Sequence, residues 1–162
     1  TEGRGWVWDL EYAKNGGLVA AFINSADGAV GNDLRYRIAR WDNSARQWQQ
    51  EQIAFAGTHI YDREQHYAGG IAIDPENVDQ IYISCNVDPA TNTRLPGGRY
   101  QIFKGLFVNG KWSYQQLTFD AQVDNIRPIV PRDHKHKDMV IWCRGRYDTY
   151  TDYKTAIVGI IN

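Results

Sequence analysis

Two stretches of this chain concentrate side chains that could do chemistry. THIYDREQHY, residues 58–67, holds His59, Tyr61, Arg63, Glu64, His66 and Tyr67, and RGRYDTYTDY, residues 144–153, holds Arg144, Arg146, Tyr147, Tyr150 and Tyr153. A guanidinium is always charged and its fork matches two anionic oxygens, so Arg63, Arg144 and Arg146 are candidate clamps for a carboxylate or sulfate. Tyrosines such as Tyr67, Tyr147 and Tyr150 can stack on sugar rings. His59, Tyr61 and His66 are the candidates for moving a proton near neutral pH. Together the set suits an acidic polysaccharide. The carboxylates Asp62, Glu64, Asp148 and Asp152 keep a glycoside hydrolase in view, which needs two such groups at a defined separation.

The composition bounds what these residues can serve. The chain has 162 residues, a formal net charge of −1 and no block of like charges. A nucleic-acid partner or a charged membrane surface is therefore not expected. No apolar run approaches the roughly 20 residues that span a bilayer. The first residues, TEGRGWVWDL, lack the charged and apolar regions of a signal peptide, so any export signal is expected on sequence outside these residues. Six tryptophans and ten tyrosines bias the chain toward β-structure and aromatic contact surfaces.

The elements that must position the site are organised by a repeat. WDLEYAKNGGLVAAFIN (8–24), GGIAIDPENVDQIYISCN (69–86) and RPIVPRDHKHKDMVIWCR (127–144) each read as a short strand, a polar turn and a more apolar strand, with Phe22, Cys85 and Cys143 at one equivalent place. The first two units continue in parallel, with Arg35 on Arg99, Tyr36 on Tyr100 and Trp48 on Trp112, all 64 residues apart. No window has helical periodicity. LVAAFI and IYIS suit strands covered on both faces, whereas RYRIARW alternates as a half-exposed strand does.

A repeating four-stranded antiparallel unit predicts an all-β fold, a β-propeller with about three blades at about 6–54, 67–119 and 125–162. Three blades cannot close a ring, and the third stops after its third strand, YKTAIVGI. The expectation is the C-terminal part of a larger propeller, completed by blades on the same or a companion chain. A sandwich or barrel is the competing architecture. Strand alternation sends the segments 24–33, 56–70, 86–98, 120–126 and 144–153 to one face, and these carry the chemical residues.

DLRYRIARWD, HYAGGIAIDPENVDQIYIS, DNIRPIVP and RGRYDTYTDYKTAIVG resemble the C-terminal blades of bacterial propeller proteins with divergent neuraminidase-type repeats, a group that includes ulvan lyases and related rhamnose–uronate lyases. The resemblance covers nearly the whole chain. It implies a seven-bladed propeller and a secreted or periplasmic protein. It also implies β-elimination, with a histidine or tyrosine taking the proton beside the uronate carboxylate and an arginine neutralising that carboxylate. One of His59, Tyr61 and His66 should then share a cleft with an arginine. A non-catalytic carbohydrate-binding propeller is the alternative. The Asp box of sialidases is absent, with NSARQW and VNGKWS in its usual hairpins.

Cys85 and Cys143 sit at equivalent places on adjacent units. They could hold a structural zinc with His66 as third ligand, form a disulfide, or remain two buried thiols. Two buried thiols are the first expectation, and the resemblance to ulvan lyases, which hold zinc, supports the metal as the second. DHKHKD (133–138) has two histidines but is expected to be a solvated turn on the opposite face.

Overall fold

The computed structural model describes residues 4–25 and 32–162. These residues are all-β, with three antiparallel sheets, no α-helix and one short 3-10 turn at Pro96–Gly98. The first sheet runs β1 (Gly5–Tyr12), β2 (Leu18–Ser25), β3 (Leu34–Asp42), β4 (Gln47–Gly57) in that spatial order. The second runs β5 (Ile71–Asp74), β6 (Asn77–Cys85), β7 (Gln101–Val108), β8 (Lys111–Gln116). The third has three strands, β9 (Asp124–Ile129), β10 (Met139–Thr149) and β11 (Asp152–Ile161), with β10 in the middle. Among the described residues no helix is long and apolar enough to cross a membrane.

Local chemistry accounts for the hairpins. Asn109 and Gly110 both take positive φ, 52° and 77°, in a two-residue turn whose twist matches its strands, and Val108 faces Lys111 across it. Asp42 closes the β3–β4 turn, its Oδ1 accepting from the N–H groups of Ser44 and Ala45 at 2.9 Å each.

The sheets pack in chain order, β1 and β2 against β5, and β9 against β5, β6 and β7. Ile23, Tyr36 and Ile38 of the first sheet join Ile71, Ile81 and Ile83 of the second in one core, and Tyr82 and Ile102 join Val140 and Trp142 of the third in another. β6, the middle sheet's second strand, is buried on both faces from Gln80 to Cys85. LVAAFI of β2 was expected to match it and does so only in part. Val19, Ala21 and Ile23 are buried while Leu18, Ala20 and Phe22 are half-buried, because among the described residues the neighbouring sheet packs against β2 through β5.

The matched tyrosines are pins between sheets. Tyr36 Oη accepts from Gly70 N–H and donates to Ser84 O, at 2.8 Å each. Tyr100 Oη donates to Thr58 O, tying β7's entry to the loop after β4. At the far end, DHKHKD is for the most part the solvated turn expected, with Asp133, Lys135, His136 and Lys137 exposed, but the His134 side chain is 3% exposed with Nε2 3.1 Å from Asp74 Oδ1. Gln80 Nε2 donates to Asp74 Oδ2 and to Tyr82 Oη at 2.9 Å each, and Lys104 pairs with Asp138 of the same turn.

Candidate functional site

Arg127 is the residue around which the site is built. Facing β10, three residues of β9 span the distance of two, since Ile129 pairs with Ile141 and Ile126 with Cys143. This bulge contains Arg127 and Pro128, and Arg127 takes a left-handed φ of 57°. Its N–H donates to Gly69 O at 2.5 Å. Gly70, at φ 113°, lets the strands approach, because a Cβ there would lie 3.2 Å from both Pro128 Cδ and Trp8 Cζ3.

The loop from β4 to β5 folds on itself through Ile60 N–H to Tyr67 O at 2.8 Å and Tyr67 N–H to Glu64 O at 3.1 Å. That fold brings Tyr61, Glu64 and Tyr67 together with Tyr147, Tyr150 and Trp6 around a pocket of about 230 Å³ that Arg127 also lines. The guanidinium lies 4.9 Å from the Tyr147 ring centroid and 5.8 Å from that of Tyr67, and it donates to Tyr147 Oη at 2.7 Å. Its Nε is buried without a hydrogen-bond partner, and among the described residues no carboxylate pairs with it. Burial pushes the Tyr67 and Tyr147 phenols up, and the Arg127 charge partly opposes it. Tyr61 is also raised, by desolvation first and then by the Glu64 charge. All three phenols are therefore neutral at physiological pH.

A second, polar cleft of about 350 Å³ shares Tyr61 and Tyr147 with the first and adds His59, Arg94, Arg99 and Asp124. The two shared rings are 6.4 Å apart in edge contact and form a ridge between the hollows. His59 Nε2 is 2.9 Å from Asp62 Oδ1, and Arg99 pairs with Asp124 at 3.1 Å. Arg94 has no ion pair among the described residues. Its guanidinium rests on the Pro96–Gly98 turn, where a Cβ at Gly98 would fall 2.5 Å from Nη2.

The residues singled out in the sequence divide between these hollows and elsewhere. Tyr61, Tyr67, Tyr147 and Tyr150 meet in the aromatic pocket, and His59 lines the polar cleft. Arg63 is exposed and lines neither. Arg144 already pairs with Asp120, and Arg146 with Asp148 at 2.8 Å and Asp152 at 3.2 Å. His66 turns to Ser25, with Nδ1 3.2 Å from Oγ. Tyr153 stacks on Tyr147 at 6.2 Å. The 24–33 loop was expected on this face, and its residues 26–31 lie outside the described ones.

Cys85 and Cys143 are free thiols, Cys85 fully buried with its thiol pushed well up by desolvation. Among the described residues no three His, Cys, Asp or Glu side chains come together as a metal-binding group. Arg127, Arg94 and Trp6 are site residues that the sequence reading did not single out. For Arg127 the available signal is a lone charge in the apolar run NIRPIV, directly before a proline.

No protein-family model matches this sequence, nor does any curated protein.

Proposed function

We propose that the chain is part of a β-propeller that binds an acidic, uronate-containing polysaccharide of the rhamnose–uronate kind and cleaves it by β-elimination. The observation that carries this reading is the half-buried Arg127 guanidinium, held between two tyrosine rings with no anion of its own. A cation withdrawn from water and left unpaired is costly unless a ligand completes it. A carboxylate on a sugar whose ring packs on Trp6 or Tyr150 supplies the missing partner.

The chemistry follows from the lining. Arg127 neutralises the uronate carboxylate and so stabilises the charge that develops when the α-proton leaves. His59, aligned by Asp62, takes that proton. The C–H electron pair becomes the new double bond, and the bond from the β-carbon to the glycosidic oxygen breaks with its electrons on oxygen. Tyr61, a neutral phenol on the ridge between the hollows, returns a proton to that oxygen. His59 and Tyr61 regain their starting states by exchange with solvent. Polymers of this kind lie outside the cell, which places the protein in a secreted or periplasmic setting.

The outer faces fit the same architecture. Val7, Leu10 and Tyr12 on the first sheet and Ile129, Ile157 and Ile161 on the third are exposed, surfaces that further blades on the same or a companion chain would cover. A full-length protein that is monomeric and holds no further four-stranded repeats contradicts that part of the reading.

The enzymatic part is tested by ultraviolet absorbance of the full-length protein on a panel of rhamnose–uronate polymers. Unsaturated uronate should appear, and Tyr61→Phe should lower the rate about 10²-fold or more with unchanged melting. Tight binding with no absorbance change across the panel would instead mark a non-catalytic carbohydrate-binding protein.

A further inference from the structure

The junctions between neighbouring sheets repeat a pattern, and the outer face of the first sheet carries one half of it. At each junction the third strand of one sheet sends a cation to an aspartate near the start of the next sheet's second strand: Arg40 Nη2 lies 2.8 Å from Asp79 Oδ1, and Lys104 pairs with Asp138. The first junction adds an aromatic pair. Phe107 and Trp112 face each other across β7 and β8, the second pair in from the turn, with ring centroids 5.2 Å apart. The first sheet holds them: Arg40 lies over the Phe107 ring at 5.6 Å, and Trp112 Nε1 donates to Glu51 Oε1 at 3.3 Å. Trp41 and Trp48 form the corresponding pair of β3 and β4, again second from the turn, with centroids 5.5 Å apart. Because Arg40 faces the second sheet, strand alternation turns Trp41 and its partner to the opposite, outer face. There, among the described residues, no cation stacks on either ring and nothing accepts from Trp48 Nε1. Trp48 is 44% exposed, whereas Trp112 is half-buried.

We infer that this outer face docks a further four-stranded sheet, lying N-terminal to these residues in the same polypeptide, whose third strand lays an arginine or lysine over the Trp41–Trp48 pair and whose fourth strand offers a carboxylate to Trp48 Nε1. The inference rests on the propeller part of the proposed function and gives the neighbouring sheet its chemistry. Chain order selects the occupant, since the Phe107–Trp112 pair is held by the sheet that precedes it in sequence. The β1–β2 turn offers Lys14 and Asn15 and no aspartate, so stacking on the indoles, the best aromatic partners for a cation, fixes the incoming charge. The carboxylate answers an indole N–H that loses water on docking. The third sheet of a second copy lacks these groups. Where Arg40 pairs with Val19 and Lys104 with Tyr82, that sheet has Ile160 and Ile161 opposite Val140 and Met139, and among the described residues no fourth strand lies beside β11.

Oxidative footprinting of the full-length protein, read at each tryptophan by mass spectrometry, tests this together with photo-crosslinking from benzoylphenylalanine placed at position 48. In the wild type Trp48 should oxidise as slowly as Trp112. The crosslink should capture a strand N-terminal to these residues in the same polypeptide, with an arginine or lysine on the captured face or on the strand beside it. Replacing that arginine or lysine by alanine should speed the oxidation of Trp48 and leave the rate at Trp112 unchanged, which also shows that the variant is folded. Fast oxidation of Trp48 in the wild type, capture of residues 139–161 of a second copy or of a different polypeptide, or a Trp48 rate that the alanine variant does not change overturns the inference. A full-length protein with no further four-stranded repeats overturns the propeller reading as well, and the two failures are thereby told apart.

Discussion

Arg127 presents its guanidinium to a pocket that Glu64 also lines, and among the described residues no carboxylate forms an ion pair with it. Its guanidinium is packed against two phenol rings, one of which also accepts its hydrogen bond. Each contact is favourable to a cation, and neither neutralises it. The same charge acts on the phenols. It favours the phenolate, so it lowers the ionisation of Tyr67 and Tyr147 against the upward push of burial. Arg127→Gln should therefore move the ionisation of these two tyrosines to higher pH, read as a delayed tyrosinate absorbance in a spectrophotometric titration. An unchanged or earlier titration would mean that the guanidinium does not sit against these rings. Arg144 and Arg146 differ from Arg127 in that aspartates already answer their charge.

At the scale of elements, the three sheets are locked to one another at both ends. Near the site the locks are Tyr36 between Gly70 and Ser84, and Ser84 Oγ donating to Asn125 O at 2.6 Å. At the opposite end the lock is the His134–Asp74 pair, whose side chains are 3% and 2% exposed. Removing one member of such a pair leaves the other buried with its hydrogen-bonding capacity reduced. His134→Ala should cost about 1–3 kcal/mol of stability, seen as a lower melting temperature with saccharide binding intact. A loss within about 0.5 kcal/mol, the range of ordinary surface changes, would show that the turn does not clamp the second sheet to the third.

The strand order within each sheet and the three-stranded third unit are legible in the sequence, because the turn residues and the matched Arg-Tyr and Trp positions recur at a fixed spacing. The aromatic half of the site is legible for a related reason. Tyr61 and Tyr67 lie in the β4–β5 loop, Tyr150 in the β10–β11 turn and Tyr147 two residues from the end of β10, all in segments that strand alternation sends to one face. The cationic half is not. Arg127 occupies a strand, where alternation gives a side chain one of two sides, and a bulge with positive φ re-aims it. Arg94 depends on the path of a loop around Gly97 and Gly98. His134 reads as polar turn chemistry, and only the approach of a neighbouring sheet buries it.

For the molecule as a whole, three packed sheets present an aromatic pocket that holds the Arg127 guanidinium, the group to which the proposed function assigns the acid of a saccharide. The scaffold explains why the site is composite, since its lining comes from β1, β9, β10, the β10–β11 turn and the loop between β4 and β5, and no single sheet holds it. Such a pocket should recognise charge rather than sugar shape alone. The most direct measurement compares the affinity of the full-length protein for a rhamnose–uronate polymer with its affinity for the same polymer after the carboxyl groups are reduced to alcohols, in the wild type and in Arg127→Ala. The wild type should favour the acidic polymer by about 100-fold, the scale of a charged hydrogen-bonded pair, and Arg127→Ala should bind both polymers alike. A variant that keeps the full preference for the acidic polymer would contradict the account.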